Sequence, residues 1–300
     1  MSSSRCKCPR EALVDTSDHI DLPFLLKCGG ADLQRLTLYN TGVSLHGNYD
    51  AGLPLKALTL IQCSTGPPER TVDEFTTVLA GLRQLRKLEK LALFDTDVHC
   101  LQGLANHPSL TLLSIGGEGR CFGKDDDDDD NDDDDYEDEN CGYPSLIGIQ
   151  KIPKLSTLYL SDGTANTDKS GFKISYEDYC CIANCKSLRT LDIPVDEGDG
   201  QSLFMLCLCP KLEDLVLHMG KEWDSEDGDW VSHAFLFECP ALTTFISHIW
   251  WTCGDVGEMY HHIALRLAEE RPGIRVMMPT GADDTCADPL PVEEFLAEYY

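Results

Sequence analysis

Three hundred residues suffice for one long repeat domain or two compact ones, and a 42% hydrophobic content lets most of the chain bury a core. With 24 Lys and Arg against 52 Asp and Glu, the formal net charge of -28 disfavours phosphate backbones and anionic membranes, so no nucleic-acid or membrane partner is expected. No apolar run reaches the roughly 18 residues of a membrane span, the polar start lacks a signal-peptide core and no Asn-x-Ser/Thr sequon occurs, so the 15 cysteines read as reduced thiols of a cytoplasmic or nuclear protein.

Residues 1–30 read as an N-terminal flank carrying Phe24, Leu25 and Leu26. From residue 31 a Leu-x-x-Leu-x-Leu phrase recurs. It stands at Leu33/Leu36/Leu38, Leu55/Leu58/Leu60, Leu88/Leu91/Leu93, Leu110/Leu113/Ile115, Leu155/Leu158/Leu160, Leu188/Leu191/Ile193 and Leu212/Leu215/Leu217, with a degenerate eighth copy at Leu242/Phe245/Ser247. The spacings of 22, 33, 22, 45, 33, 24 and 30 residues allow each strand to return through a segment of variable length. A last strand, 274–278, closes the array. The period-two part of each copy is a short strand whose second and third apolar residues point inward. One such unit cannot cover its own apolar side, whereas a stack of them makes a continuous core behind a parallel sheet.

Return segments read as helices. A capping box at Thr71-x-x-Glu74 opens a helix to about Arg86, with Phe75, Val78, Leu79 and Leu82 on one face. Ser175-x-x-Asp178 opens another through Tyr179, Ile182 and Ala183, and Asp255-x-x-Glu258 a third that Arg271-Pro272-Gly273 stops. Between the fourth and fifth copies, residues 121–144 form an insertion in which Asp125 to Glu139 hold 13 carboxylates in 15 positions, Asp130 and Asp135 among them. Like charges this dense repel one another, so the segment is expected to be disordered and to serve as a solubilising loop or as a binder of basic tails. Residues 279–288 read as a linker, and Val292, Phe295, Leu296 and Tyr299 share one face of a short terminal helix.

Several copies are approached through one phrase: His107-Pro108-Ser109-Leu110, Ile152-Pro153-Lys154-Leu155, Cys185-Lys186-Ser187-Leu188, Cys209-Pro210-Lys211-Leu212 and Cys239-Pro240-Ala241-Leu242. Proline ends the preceding segment and biases the residue before it toward extended geometry. Over residues 31–278 this pattern resembles the repeat half of F-box leucine-rich-repeat proteins. The resemblance implies an α/β leucine-rich-repeat solenoid of about eight repeats, a horseshoe with its parallel sheet on the concave face and helices or loops on the convex face. It also brings in substrate recruitment for a ubiquitin ligase, but only about 32 residues precede Leu33, so a complete F-box is not expected. The acidic leucine-rich nuclear phosphoproteins are similar in pairing repeats with a carboxylate tract, theirs being C-terminal.

Alternation alone puts every second strand residue on the open face. Tyr39, Ile61 and Phe94 then form a stripe on consecutive strands, and Tyr159, Val216, His218, Ile246 and His248 form a second group. Exposed apolar anchors of this kind suit a protein interface, the bland alternative being cover by the flank or the tail. Cys6-x-Cys8 and Cys180, Cys181 and Cys185 lack the second pair that a zinc site needs, and no nucleotide-binding, calcium-binding or hydrolase motif occurs. The expectation is a monomeric protein-binding scaffold that is not an enzyme, takes no cofactor and no metal, and binds a protein partner, basic if charged.

Overall fold

The computed structural model describes residues 10–29, 32–65, 78–98, 100–116, 144–161, 174–195, 200–219, 235–248, 266–267, 269–278 and 290–291. Its strands are β1 (Glu11–Asp15), β2 (His19–Asp21), β3 (Arg35–Tyr39), β4 (Gly42–Ser44), β5 (Ala57–Ile61), β6 (Lys90–Phe94), β7 (Leu112–Gly116), β8 (Thr157–Ser161), β9 (Thr190–Val195), β10 (Asp214–Met219), β11 (Thr244–His248), β12 (Arg275–Met278) and β13 (Leu290–Pro291). Helices are α1 (Leu22–Gly29), α2 (Tyr176–Ala183), α3 (Gly200–Leu203) and α4 (Phe235–Glu238).

Eleven strands make one sheet in the order β1-β3-β5-β6-β7-β8-β9-β10-β11-β12-β13, parallel throughout except for the antiparallel β13. Sequence order is spatial order along this sheet. That is the topology of a leucine-rich-repeat solenoid. Pairing aligns the repeat phrase without slip: Leu36, Leu58, Leu91, Leu113 and Leu158 are register partners, and so are Leu38, Leu60, Leu93, Ile115 and Leu160. All are at most 2% exposed, while the residues between them are half-exposed. A one-residue slip would bring this whole set into water, which pins the register. Each buried leucine contributes about 1.5–3 kcal/mol.

The lead-in phrase forms a tight turn. Residues Leu85, Ile152, Cys185, Cys209 and Cys239 are all buried and offer their carbonyls to the N–H three residues on, the first leucine of the next repeat. His107 stands in the same place and uses its side chain instead: Nδ1 accepts from Leu110 N–H at 3.1 Å.

The acidic insertion adds no rung, since β7 pairs directly with β8. Asp125, Asp130, Asp135 and Glu139 lie outside the described residues. The Ser175 capping box is present: Ser175 Oγ accepts from Asp178 N–H at 3.1 Å and Asp178 Oδ2 from Ser175 N–H at 3.3 Å. Asp178 Oδ1 also accepts from Leu146 N–H at 2.8 Å, tying α2 to the preceding repeat.

Three local expectations change. The described part of the expected helix 72–86 is a 3-10 helix, Val78–Gln84. It buries Val78, Leu79 and Leu82, and a Cβ on Gly81 would meet Leu45 O at 2.7 Å, so the segment is drawn tightly onto its neighbour. The N-terminal flank joins the sheet. Its Glu11–Asp15 stretch adds a strand ahead of Leu33, with Ala12 opposite Leu36 and Val14 opposite Leu38, while α1 sinks Leu22 and Leu26 into the core. At the other end Leu290 and Pro291 pair antiparallel with β12 where a helix was expected to begin; residues 292–300 lie outside the described residues.

Candidate functional site

The open face of the sheet carries the half-exposed residues of each strand. Tyr39, Ile61 and Phe94 are successive register partners, so their Cα atoms step along the sheet at about 4.8 Å intervals. All three are half-buried, each flanked along its strand by a leucine turned fully inward. The row is bounded by Asp15, opposite Tyr39, and by Gly116, opposite Phe94. The expected trio is therefore contiguous and closed at both ends by residues of other character.

Beta-strand β1 supplies two members that the repeat phrase did not reveal. Leu13 pairs with Thr37 and is 73% exposed, extending the apolar surface diagonally from Tyr39, and Asp15 adds a carboxylate beside it. The alternation of Ala12-Leu13-Val14 was the available signal, but with Ala and Val in place of leucine it did not match the template. On the rim, Arg35 Nη1 donates to Glu11 Oε1 at 2.8 Å.

The second group divides into two rows. Tyr159, Asp192, Val216, Ile246 and Met277 are register partners across β8 to β12. Pro194, His218 and His248 form the adjacent row. His218 Nε2 lies 2.8 Å from Asp192 Oδ1. Gly116 and Pro194 are both buried, which separates the apolar trio from the histidine end.

Among the described residues no three His, Cys, Asp or Glu side chains converge as a metal-binding group, and no helix is long and apolar enough to cross a membrane. Cys6 and Cys8 lie outside the described residues.

No protein-family model matches the chain, and no curated protein matches its sequence. Among solved structures, an internalin from Listeria monocytogenes str. 4b F2365 is similar at 15% identity and a TM-score of 0.40, the match covering 77% of this chain. This chain spans 58% of that protein's length. Assignment of the chain as a leucine-rich-repeat solenoid stands on its own strand register.

Proposed function

We propose that the protein is a non-catalytic protein-binding scaffold whose open sheet face, centred on Tyr39, Ile61 and Phe94, receives an apolar anchor of another protein. The observation that carries this reading is the contiguity of three large half-exposed side chains in consecutive register. A solenoid core has no use for them there, and flat apolar or aromatic patches with a polar border are where binding energy concentrates. The chain's net charge of -28 selects a partner with a basic border around that anchor. Tyr159, His218 and His248 make a second, more polar contact zone at the far end. Recruitment of a ubiquitin-ligase substrate is a narrower form of the same reading, motivated by the Cys-Pro-x-Leu lead-ins.

The test is affinity capture from cell extract with wild type and with a variant carrying Tyr39→Asp, Ile61→Asp and Phe94→Asp. Removing one anchor of this kind costs about 2 kcal/mol or roughly 30-fold in affinity, so the triple variant should lose its specific partners while its circular dichroism is unchanged. An unaltered set of captured proteins overturns the reading. Co-capture of a ligase adaptor subunit marks the narrower form.

A further inference from the structure

Behind the C-terminal half of the sheet, Cys185, Cys209 and Cys239 hold the same lead-in position in three successive repeats and are all buried. Cys207, two residues ahead of Cys209, leaves that row. Its Sγ lies 2.7 Å from Cys239 Sγ in the next repeat and 3.2 Å from the Phe235 carbonyl oxygen. Cys207 is half-buried, whereas Cys239 is 2% exposed. From this contact we propose that Cys207 and Cys239 are a modification site: a dithiol that a peroxide converts to a reversible disulfide, clamping the return segments ahead of β10 and β11.

The division of labour follows from exposure and hydrogen bonding. Peroxide reaches the half-buried Cys207 first. The hydrogen bond between the two thiols holds the Cys207 thiol below its ordinary range and, with burial, pushes Cys239 well up. The Cys207 thiolate attacks one peroxide oxygen, the O–O bond breaks, and the leaving hydroxide takes a proton to become water. Cys207 is then a sulfenic acid. The Cys239 sulfur attacks the Cys207 sulfur, the S–O bond breaks, and a second water departs with the Cys239 proton. Two thiols have lost two electrons and two protons, and one peroxide has become two waters.

The surroundings favour this pair over the other described thiols. Arg271 pins the backbone at Cys239, donating through Nη1 to the Leu236 and Cys239 carbonyls at 2.5 and 2.6 Å and through Nη2 to the Leu242 carbonyl at 2.8 Å. Cys209 and Cys185 are both buried and aim their Sγ atoms at the Ile182 and Cys181 carbonyls, at 3.3 and 3.4 Å, so neither offers peroxide the half-buried first sulfur that Cys207 does. Cys28 is an exposed free thiol at the opposite end of the sheet, in α1. The clamp sits behind the sheet, so it braces the rungs that carry His218 and His248 without covering the open face.

The experiment treats the reduced, full-length protein with dilute hydrogen peroxide, blocks remaining thiols with iodoacetamide and maps the digested peptides by mass spectrometry. A Cys207–Cys239 linked peptide about 2 Da lighter than its two thiol parts should appear before any other oxidation product and vanish with dithiothreitol. Recovery of both cysteines as alkylated peptides, or Cys207 joined to a different thiol or carried on to sulfinic acid, overturns the proposal. In a Cys239→Ser variant, dimedone labelling of Cys207 should rise. The wild-type map decides the matter even if that variant fails to fold.

Discussion

The two halves of the sheet share one register and differ at each point where a repeat has freedom. In the N-terminal half, β3, β5 and β6 each stop after five residues on a left-handed residue, Asn40 (φ 49°), Gln62 (φ 51°) and Asp95 (φ 47°). The N–H of each then reaches the last carbonyl of the next strand, at 2.8–3.1 Å. The turn sends Thr41 and Cys63 back under the sheet, where both are buried. In the C-terminal half, β9 and β10 run on for a sixth residue, Val195 and Met219, so the strand continues through the position where Gln62 turns. The lead-in position changes as well, from Leu85, His107 and Ile152 to three cysteines and then Arg271. A solenoid needs its inward leucines and its strand pairing; the ends of each rung are free to diverge, and β9 and β10 diverge here from β3, β5 and β6.

The sharpest way to break this comparison is one substitution made at the same repeat position in each half. Val195 is 1% exposed and extended, so Val195→Gly removes a packed side chain and loosens a strand, costing about 2–4 kcal/mol. Gln62 is left-handed, a conformation that glycine adopts without strain, so Gln62→Gly should change stability by less than about 0.5 kcal/mol, relief of strain offsetting the added freedom of the unfolded chain. Urea unfolding of both variants checks the pair. Equal losses would mean that the two strand ends are not physically different.

His107 gives the next largest effect. Its Nδ1 accepts from Leu110 N–H at 3.1 Å, so the proton of the neutral ring sits on Nε2, which donates to the Leu82 carbonyl at 3.1 Å. Protonation would destroy the acceptor, and burial holds this histidine below its ordinary value of 6.5. Above pH 6.5 the folded and unfolded chains both carry a neutral ring, and the arrangement contributes its full stability. As the pH falls below 6.5 the unfolded chain takes up a proton that the folded chain resists, and stability is lost progressively toward the lower folded value. Leucine fits this position, as Leu85 shows. His107→Leu should therefore cost about 1–3 kcal/mol at neutral pH through lost hydrogen bonds, and it should flatten the decline between neutral and mildly acid pH. Urea midpoints of wild type and variant across that range test both parts.

What the sequence made legible follows the same division. The inward leucines repeat with a fixed chemistry, so the fold, the strand order and the adjacency of Tyr39, Ile61 and Phe94 could be read from spacing alone. Strand β1 could not, because Ala12 and Val14 satisfy the same inward positions with smaller side chains. The left-handed turn at Gln62 had no local signal either, glutamine being no usual left-handed residue; it is imposed by the bond from its N–H to the Phe94 carbonyl at 2.8 Å. The 3-10 helix at Val78–Gln84 lies so close to Leu45 that a Cβ on Gly81 would meet its carbonyl oxygen at 2.7 Å, an approach between residues far apart in the chain that no local pattern announces. The lead-in phrases predicted where turns fall, and His107 and Arg271 show how different side chains can complete those turns.

The inner row supplies the smallest test. Leu38, Leu60, Leu93 and Leu217 hold one inward position, and in the last full repeat Ser247 takes it, opposite Leu217. Ser247 is 0% exposed, and its hydroxyl has no hydrogen-bond partner among the described residues. A buried hydroxyl in that condition destabilises the folded state, because it surrenders water and receives nothing in return. Ser247→Ala should therefore stabilise the protein by about 1 kcal/mol, whereas Ser247→Thr keeps the hydroxyl and should gain less. Thermal unfolding of the two variants beside wild type measures the difference. A loss on Ser247→Ala would show that this hydroxyl is bonded in solution, and that the C-terminal half departs from the leucine pattern to make a contact rather than by drift.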